Sequence, residues 1–463
     1  MRNIYKCLCA LLFATCVTTR AKLNLSMYDR VLILAPHPDD EVIACGGVIQ
    51  NARELGVPVN VVFFTYGDNN EWSFLVYRRH PVFVPDAVRR MGEVRHDEAC
   101  EAARILSLDA TNLVFLGYPD FGTLHVWASH WNEQPPFESM LTRVTSVPYD
   151  NAFRPGAPYK GEAVLNDLKR ILLAFRPTKV FVSHPSDFNA DHLALYLFAR
   201  VALWDLATEL SPEIYPYLVH YKKWPFPRGR HPDDALEPPF ALLDSIAWVR
   251  SPVTATAEKT KESAIEAHRS QLEYSRAYLL SFIRKNELFG DYPPINLRVA
   301  EFREESAPEE SPEQLTDEER AILVGFEERS ARLTGDSIEI SLHISKPLAR
   351  TMEAMVYLFG YRADKPFGGM PKIRVRVGGL GETAYDQDLV LPASAATIER
   401  TSREITVRVA LKTLGNPEKI LTSARTYLGE VPLDSLSWRV LELSEPGPTP
   451  DGGHTGAPAA ATP

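Results

Sequence analysis

Residues 32–47 read LILAPHPDDEVIACGG and lead from a short apolar run into a helical pattern of small residues. A continuous apolar run of this length is typical of a parallel strand that is covered on both faces. At the end of the run, the imidazole of His37 is followed closely by the carboxylates of Asp39, Asp40 and Glu41. Carboxylates this close together repel one another, so the turn is expected to hold a group of positive charge.

Strands and helices alternate from about residue 28 to 300, and the strand candidates are all short apolar runs. The predicted strands are Val31–Ala35, Val59–Thr65, Leu113–Gly117 and Lys179–Ser183, and the predicted helices are Val42–Leu55, Ala87–Leu106 and Lys160–Phe175. This alternation predicts an α/β domain with a Rossmann-like, doubly wound, mainly parallel sheet. In such sheets a ligand binds beyond the carboxyl ends of the strands.

Each of the four predicted strands is followed by a carboxylate, and two of them are also followed by histidines. The polar residues after the strands are His37, Asp39 and Asp40; Asp68; Asp120; and His184, Asp187, Asn189, Asp191 and His192. Because the carboxyl ends of parallel strands meet at one edge of a sheet, we expect these side chains to lie close together. A rim of carboxylates and imidazoles predicts a site that is centred on a metal ion.

Zinc in a catalytic site takes three protein ligands, usually nitrogen and carboxylate oxygen, and keeps one position for water. His37 and Asp40 lie in one strand-to-helix turn that can point both at the same ion, and His192 can supply the third ligand. Asp39 cannot easily bind the same ion and is better placed to take a proton from water. In the alternative, an aspartate merely caps the helix and Glu41 lies in its first turn, which leaves the histidines unexplained.

The sequence PHPDDEVIACGG resembles the signature of the PIG-L/LmbE family of zinc-dependent N-acetylglucosamine deacetylases. Further matches follow in the family's order over roughly residues 28 to 290, well over half of the chain. They are Arg95-x-x-Glu98 with Ala102 and Leu106, LGYPD ending in Asp120, the tetrapeptide ending in His192, and KESAIEAHRSQ at residues 261–271. Ser107 stands where a glycine is usual in the family.

The resemblance implies one zinc ion held by His37, Asp40 and His192, with Asp39 as the general base. It also implies that the substrate is an N-acetyl sugar or a similar small amide. The strand-end pattern and the resemblance therefore point to the same four residues.

The second metal motif departs from the pattern of many relatives, in which it reads His-Pro-Asp-His. Asn189 occupies the first position of that motif, where a histidine is expected to donate a proton or to stabilise the oxyanion. An asparagine can donate a hydrogen bond to an oxyanion but cannot deliver a proton. The general acid is therefore open between protonated Asp39, His184 and His220.

Two further residues are predicted to contact the substrate. Arg95 follows from the matched helix, although an ion pair with a nearby acid is an equal alternative. Asp120 either binds sugar hydroxyls or orients a metal ligand, and otherwise it only closes a turn. The long segment 120–160 is rich in aromatic residues and is predicted to set substrate specificity at the rim of the site.

The first 22 residues, MRNIYKCLCALLFATCVTTRAK, combine a basic start with an apolar run that is too short to span a bilayer. This layout predicts a secretory signal peptide and an exported protein, periplasmic or extracellular. If the segment is not a signal, a cytoplasmic location is expected instead. Cys16 is a weak candidate for lipidation. Only Cys45 and Cys100 remain beyond this segment, which argues against a disulfide framework.

Composition changes after residue 300. Residues 301–335 are rich in Glu, Ser and Pro and predict an acidic linker with a short helix at Leu315–Glu328. Residues 336–445 alternate polar and apolar with period two and predict an all-β, sandwich-like domain. The remaining residues, 446–463, are of low complexity and are predicted to be disordered.

The formal net charge is −10, and no block of basic residues occurs in the chain. Nucleic acid and anionic membrane surfaces both require basic faces, so neither is an expected partner. No stable membrane span is predicted. The expected partner is instead an N-acetylated sugar or glycoconjugate.

Two other functions are compatible with the sequence. A carbohydrate-binding protein with an impaired deacetylase fold would explain the missing histidine, with glycan contacts through the exposed-aromatic candidates Tyr361, Phe367 and Trp438 of the β-domain. An amidase that acts on a non-sugar amide would keep the metal site and change the substrate.

Overall fold

A computed structural model describes residues 21–68, 85–305, 323–379, 381–429 and 431–444 of the chain. The first strands and helices form an eight-stranded sheet that is flanked by helices, and the later strands form two further sheets. The predicted α/β fold with an added C-terminal β-domain is confirmed.

The first sheet has the strand order β1-β7-β8-β6-β5-β2-β3-β4. Its strands are β1 (Ala21–Lys22), β2 (Val31–Ala35), β3 (Val59–Thr65), β4 (Leu113–Tyr118), β5 (Lys179–Ser183), β6 (Glu213–Tyr217), β7 (Val249–Pro252) and β8 (Asn286–Phe289). Only β8 runs antiparallel to its neighbours β6 and β7. Every residue of β2 and β5 is buried, as expected for strands that are covered on both faces.

Helices cover this sheet and connect its strands. They are α1 (Asp40–Glu54), α2 (Pro85–Ile105), α3 (Thr123–Ser129), α4 (Gly161–Phe175), α5 (Ala190–Asp205), α6 (Ala255–Ala267) and α7 (Arg269–Leu279). Helix α1 packs against α6, and α4 packs against α5. In the part of the chain that the structure describes, no helix has the length and hydrophobicity to span a bilayer.

A buried ion pair fixes the position of α1. Glu287 accepts hydrogen bonds from the backbone N–H groups of Gly47 (2.6 Å) and Val48 (2.8 Å) and from Lys261 Nζ (2.7 Å). A Cβ atom on Gly46 would lie 3.0 Å from the Lys261 side chain, and one on Gly47 would lie 3.1 Å from Glu287 Oε2. The two glycines of the opening stretch therefore allow the ion pair to approach the helix that begins at Asp40.

The C-terminal strands form two sheets around a common apolar core. One sheet contains β10 (Phe302–Glu305), β11 (Phe326–Thr334), β12 (Ser337–Ile344), β17 (Ala396–Arg400) and β18 (Glu404–Ala410). The other contains β9 (Ile295–Asn296), β13 (Met352–Tyr361), β14 (Lys372–Gly378), β15 (Gly381–Asp386), β16 (Leu389–Val390), β19 (Lys419–Leu428), β20 (Val431–Ser435) and β21 (Arg439–Glu442).

Part of the predicted linker is wrong. Strands β10 and β11 lie within 301–335, and residues 326–328 of the predicted helix are extended. The high density of charges concealed an alternation in which Phe326, Arg329 and Ala331 are buried. Residues 306–322, the predicted tail 446–463 and all but the last two residues of the predicted signal peptide lie outside the described residues.

The β-domain packs on the α/β domain through the aromatic side chains that were predicted to be exposed. Tyr361, Phe367 and Trp438 are each at most 2% exposed and belong to the core of the α/β domain. The ring of Phe367 stacks on Trp127 with 4.9 Å between centroids. The prediction that these rings face solvent was wrong, because strand alternation does not reveal whether a sheet face meets solvent or another domain.

Candidate metal centre

The predicted site residues gather where the direction of the sheet reverses. From β2 the chain continues outward through β3 to β4, and β5 then returns to pair with the other side of β2. Loops after β2 and β5 diverge at this point and leave a crevice beyond the strand ends. The loop after β2 carries His37, Asp39 and Asp40, and the loop after β5 leads to His192.

The three predicted metal ligands converge on one point. Asp40 Oδ2 lies 3.3 Å from His37 Nδ1 and 3.1 Å from His192 Nε2. Zn–N and Zn–O bonds of about 2.0–2.2 Å in a tetrahedral site place neighbouring donor atoms about 3.3 Å apart. His37 is 6% exposed, and the other two residues are almost fully buried. Two imidazoles and one carboxylate are a typical donor set for catalytic zinc.

Two further carboxylates orient the imidazoles. Asp187 Oδ2 lies 3.2 Å from His192 Nδ1, and Asp120 Oδ1 lies 3.1 Å from His37 Nε2. A proton held on each of these outward nitrogens leaves the lone pair of the other nitrogen directed toward Asp40. Such carboxylate–histidine pairs are usual behind metal-binding histidines.

The contact with His37 supports the prediction that Asp120 orients a metal ligand. Its carboxylate is buried against the predicted ligand, whereas a contact with sugar hydroxyls stays a prediction. The orienting role of Asp187 was not predicted. A signal for it existed in the sequence, because a metal-binding histidine requires an acceptor and Asp187 lies just before the helix that carries His192.

The electrostatic field of the group favours a cation. Burial lowers the pKa of His192, but Asp187 and Asp40 outweigh it and raise the pKa to about 9. Burial acts to raise the pKa of Asp40, but His192 and His37 hold it well below its usual range. A field that stabilises a positive charge on buried imidazoles also stabilises a divalent ion between them.

Asp39 lies beside the donor group in an unusual backbone conformation. Its φ angle is 141°, a value that residues other than glycine rarely adopt. Its N–H donates to Glu41 Oε2 (3.0 Å), and the other oxygen of Glu41 lies 3.5 Å from His268 Nε2. Glu41 therefore lies in the first turn of α1 and also holds Asp39 in place.

The carboxylate of Asp39 is accessible and basic. Its side chain is 14% exposed, and Oδ1 lies 3.4 Å from Arg95 Nη2. Burial raises the pKa of Asp39 to about 6, against the opposing charge of Arg95. Arg95 also donates to the backbone oxygens of Pro38 (2.8 Å) and Gly67 (2.9 Å). The ion-pair alternative for Arg95 is therefore observed, and its contact with a substrate stays a prediction.

Asn189 has a structural task in addition to its predicted catalytic one. Its Oδ1 accepts hydrogen bonds from the N–H groups of Asp191 (2.8 Å) and His192 (3.5 Å) and so caps α5. This cap fixes the first turn of the helix that carries His192. Only the Nδ2 group of Asn189 remains as a donor to an oxyanion.

The two histidines considered as general acids lie in different surroundings. His184 is fully buried between Trp248 and Tyr292, and its Nδ1 accepts from Ser186 N (3.0 Å). Burial lowers the pKa of His184 to about 3, so the imidazole is neutral. The proton-donor prediction for His184 therefore gains no support. His220, in contrast, forms a group with His37, Asp40 and His192 whose donor atoms all lie within 4.8 Å of one another.

A second group of acids lies behind His37. Asp191 accepts hydrogen bonds from Thr123 Oγ1 and from Phe121 N (3.1 Å) and lies 3.4 Å from His37 Nε2. Asp68 accepts from Tyr149 OH (2.6 Å) and from the N–H of Asp120 (3.1 Å). The sequence predicted that Asp68 and Asp191 lie at this edge of the sheet, but it predicted no role for either residue. Their contacts hold the loop after β4 against His37.

The fold and the site together define an α/β protein with a candidate metal centre at the switch point of its sheet. Residues 32–203 match the family described as PIG-L, GlcNAc-PI de-N-acetylase. Over residues 32–203 the chain is therefore similar to a PIG-L family domain, which agrees with the resemblance inferred from the sequence.

Among curated proteins, the chain is similar to a 1D-myo-inositol 2-acetamido-2-deoxy-alpha-D-glucopyranoside deacetylase of Nocardia farcinica. The two are 30% identical over 164 residues, which cover 35% of this chain and 48% of the relative. The chain thus spans about half the length of the curated relative that it matches.

Among solved structures, the chain is similar to the N,N'-diacetylchitobiose deacetylase of Pyrococcus horikoshii, with 22% identity, 56% of this chain and 82% of that chain covered, and a TM-score of 0.34. A conserved protein of Thermus thermophilus matches with 22% identity, 56% and 93% coverage, and a TM-score of 0.33. Likenesses at this level assign neither an activity nor a substrate to the chain.

Proposed function

We propose that the protein is a metal-dependent hydrolase that removes an N-acetyl or similar acyl group from an N-acetylglucosamine-type sugar. The observation that carries the proposal is the convergence of His37, Asp40 and His192 on one point, with the carboxylate of Asp39 beside them. The PIG-L domain and the deacetylase from Nocardia farcinica support the reaction class.

We propose one Zn²⁺ as the metal. The donor set of two nitrogens and one carboxylate, the distances near 3.3 Å and the carboxylates behind both imidazoles all fit it. When bound, zinc supplies Lewis-acid chemistry that lowers the pKa of water and polarises a carbonyl oxygen.

The protein's own residues then handle the proton and the developing charge. Asp39 is ionised at neutral pH and takes a proton from the water whose oxygen adds to the acyl carbon. The Nδ2 group of Asn189 donates a hydrogen bond to the oxyanion. The carbon–nitrogen bond breaks as Asp39 returns its proton to the leaving nitrogen, and the products are acetate and an amine. Asp39 thus serves as both base and acid.

The test is an assay of acetate and free amine released from N-acetylglucosaminides by the purified chain. Asp39→Asn keeps the size of the side chain and removes the base, so it should lower kcat by about 10²–10⁴-fold. His192→Ala should abolish both activity and zinc binding. Asp97→Asn, an exposed acid on α2, is the matched control. Full activity of Asp39→Asn, or of metal-free protein, would exclude the mechanism.

A non-sugar amide as the substrate is the second candidate. Most aromatic side chains of segment 120–160 are in the core, including Trp127, Trp131 and Tyr159, whereas Phe121 is 43% exposed and its N–H contacts Asp120 and Asp191. An exposed ring on a residue whose backbone contacts this group of acids suits an apolar acyl or amine group. Comparison of N-acetylglucosaminides with N-acylated aromatic amines separates the two candidates. The glycan-binding alternative loses its support, since its proposed aromatic contacts are buried.

A further inference from the structure

The site has no histidine at position 189, but the imidazole of His220 reaches it from the loop after another strand. His220 follows β6, which pairs in parallel with β5, so both loops end at the same edge of the sheet. The N–H of His220 donates to Asp187 Oδ2 (2.9 Å), the same oxygen that lies 3.2 Å from His192 Nδ1. One carboxylate therefore fixes the backbone of His220 and the ring of His192 relative to each other.

A neighbouring tyrosine determines which nitrogen of His220 carries the proton. Tyr278 OH donates to the backbone oxygen of Val219 (2.8 Å) and lies 3.3 Å from His220 Nδ1. Because the single hydroxyl proton is used by Val219, the tyrosine oxygen can only accept from Nδ1–H. The neutral ring then has a lone pair on Nε2.

The position of His220 matches that of the predicted ligands. Its ring centroid lies 4.6 Å from that of His192, and those of His37 and His192 are 5.2 Å apart. One nitrogen of His220 lies within 4.8 Å of the donor atoms of His37, Asp40 and His192. A lone pair on Nε2 can bind a metal ion, whereas it cannot donate a hydrogen bond to an oxyanion.

We propose that His220 is a fourth protein ligand of the metal ion, bound through Nε2. The proposal rests on the metal site of the proposed function but not on deacetylation itself. Asn189 then caps α5, and His220 supplies a third imidazole to the centre. A site with four protein donors should retain zinc more tightly than one with three, and the water of the proposed reaction would then take a fifth position, a coordination number that catalytic zinc sites also reach.

The experiment measures zinc affinity of the full-length protein by competition with a chromophoric chelator. His220→Ala should weaken zinc binding by roughly 100-fold or more, at or beyond the 10–100-fold typical for partners behind a ligand. Tyr278→Phe, which removes the acceptor of Nδ1–H together with the hydrogen bond to Val219, should weaken it by about 10-fold. His231→Ala, a histidine outside the described donor group, is the matched control and should leave the affinity unchanged.

A second readout reports the ligands directly. X-ray absorption of the zinc-loaded protein should show three imidazoles in the wild type and two in His220→Ala, and the visible spectrum of the cobalt-substituted protein should change accordingly. His220→Asn, checked by circular dichroism, replaces the alanine variant if that variant does not fold. The proposal would be overturned if a folded His220 variant bound zinc as tightly as the wild type and showed the same spectrum. Wild-type protein that binds zinc but releases no acetate would instead overturn the deacetylase and leave His220 as a ligand.

Discussion

At the scale of the residue, the candidate base is held in a strained conformation. Asp39 has a φ of 141°, and Glu41 and Arg95 contact its N–H and its carboxylate. Such a conformation costs on the order of 1–3 kcal/mol and persists only when its surroundings enforce it. The strained residue lies next to the predicted metal ligands. Its backbone conformation points the carboxylate of Asp39 in a different direction from that of Asp40.

Two substitutions at Asp39 separate this strain from the loss of the carboxylate. Asp39→Ala and Asp39→Gly both remove the acid and should both be inactive, but only glycine adopts a positive φ without strain. After its greater entropy in the unfolded chain is counted, Asp39→Gly should be about 1 kcal/mol more stable than Asp39→Ala. Urea denaturation of both metal-free variants measures the difference. Equal stabilities would mean that the backbone at this position is not strained.

At the scale of the element, sequence patterns located the four strands around the site, β2 to β5, but not β1, β6, β7 or β8. The strands Val31–Ala35, Val59–Thr65 and Lys179–Ser183 begin and end where they were predicted, because buried parallel strands are short apolar runs. Strand β11 was missed because its charged residues concealed its alternation. The role of Asp120 was harder still to predict, since it meets His37 only where loops from different strands come together, whereas Asp187 and His192 follow the same strand.

The ion pair between Lys261 and Glu287 gives a prediction at this scale. Lys261→Met leaves the carboxylate of Glu287 buried against α1 without its cation, which should destabilise the protein by about 3–5 kcal/mol. Adding Glu287→Gln should recover part of that loss, because it removes the unpaired charge but leaves a single amide oxygen for the two backbone N–H groups of α1. Lys259→Met, on the exposed face of the same helix, should change stability by less than about 0.5 kcal/mol. Urea denaturation of the four proteins checks this, and a loss as small as that of Lys259→Met would contradict it.

At the scale of the whole molecule, the β-domain forms part of the support of the site. Ser437 Oγ lies 2.7 Å from Ser186 Oγ, and the N–H of Trp438 donates to the backbone oxygen of Pro185 (3.0 Å). These contacts hold the loop between β5 and α5, which carries Asp187 and leads to His192. The sequence pattern predicted the fold of the β-domain but not its contact with this loop. Packing between two domains leaves no periodic pattern in the sequence of either domain.

A lysine buried where the two domains meet makes the stability of the molecule depend on pH. Lys372 Nζ donates to the backbone oxygens of Phe367 and Met370, both at 2.6 Å, and lies 5.0 Å from the ring centroid of Trp131 in the α/β domain. Burial lowers the pKa of Lys372 from 10.5 to about 7, against the weaker opposing effect of Asp386. Between these two values the unfolded chain binds more protons than the folded one, so stability should rise with pH.

The rise should begin near pH 7 and should be no steeper than about 1.4 kcal/mol per pH unit. Lys372→Met cannot titrate, so the difference in unfolding free energy between wild type and variant should change steadily in favour of the wild type from pH 7 to 10. Urea denaturation in steps of pH measures this difference, in which all other titrating groups cancel. Lys365→Met, at an exposed position in the loop before the strand that begins at Lys372, should keep the slope of the wild type. Parallel curves for wild type and Lys372→Met would show that the buried amine does not lose its proton in this range, and that its two carbonyl acceptors and the aromatic rings stabilise the charge fully.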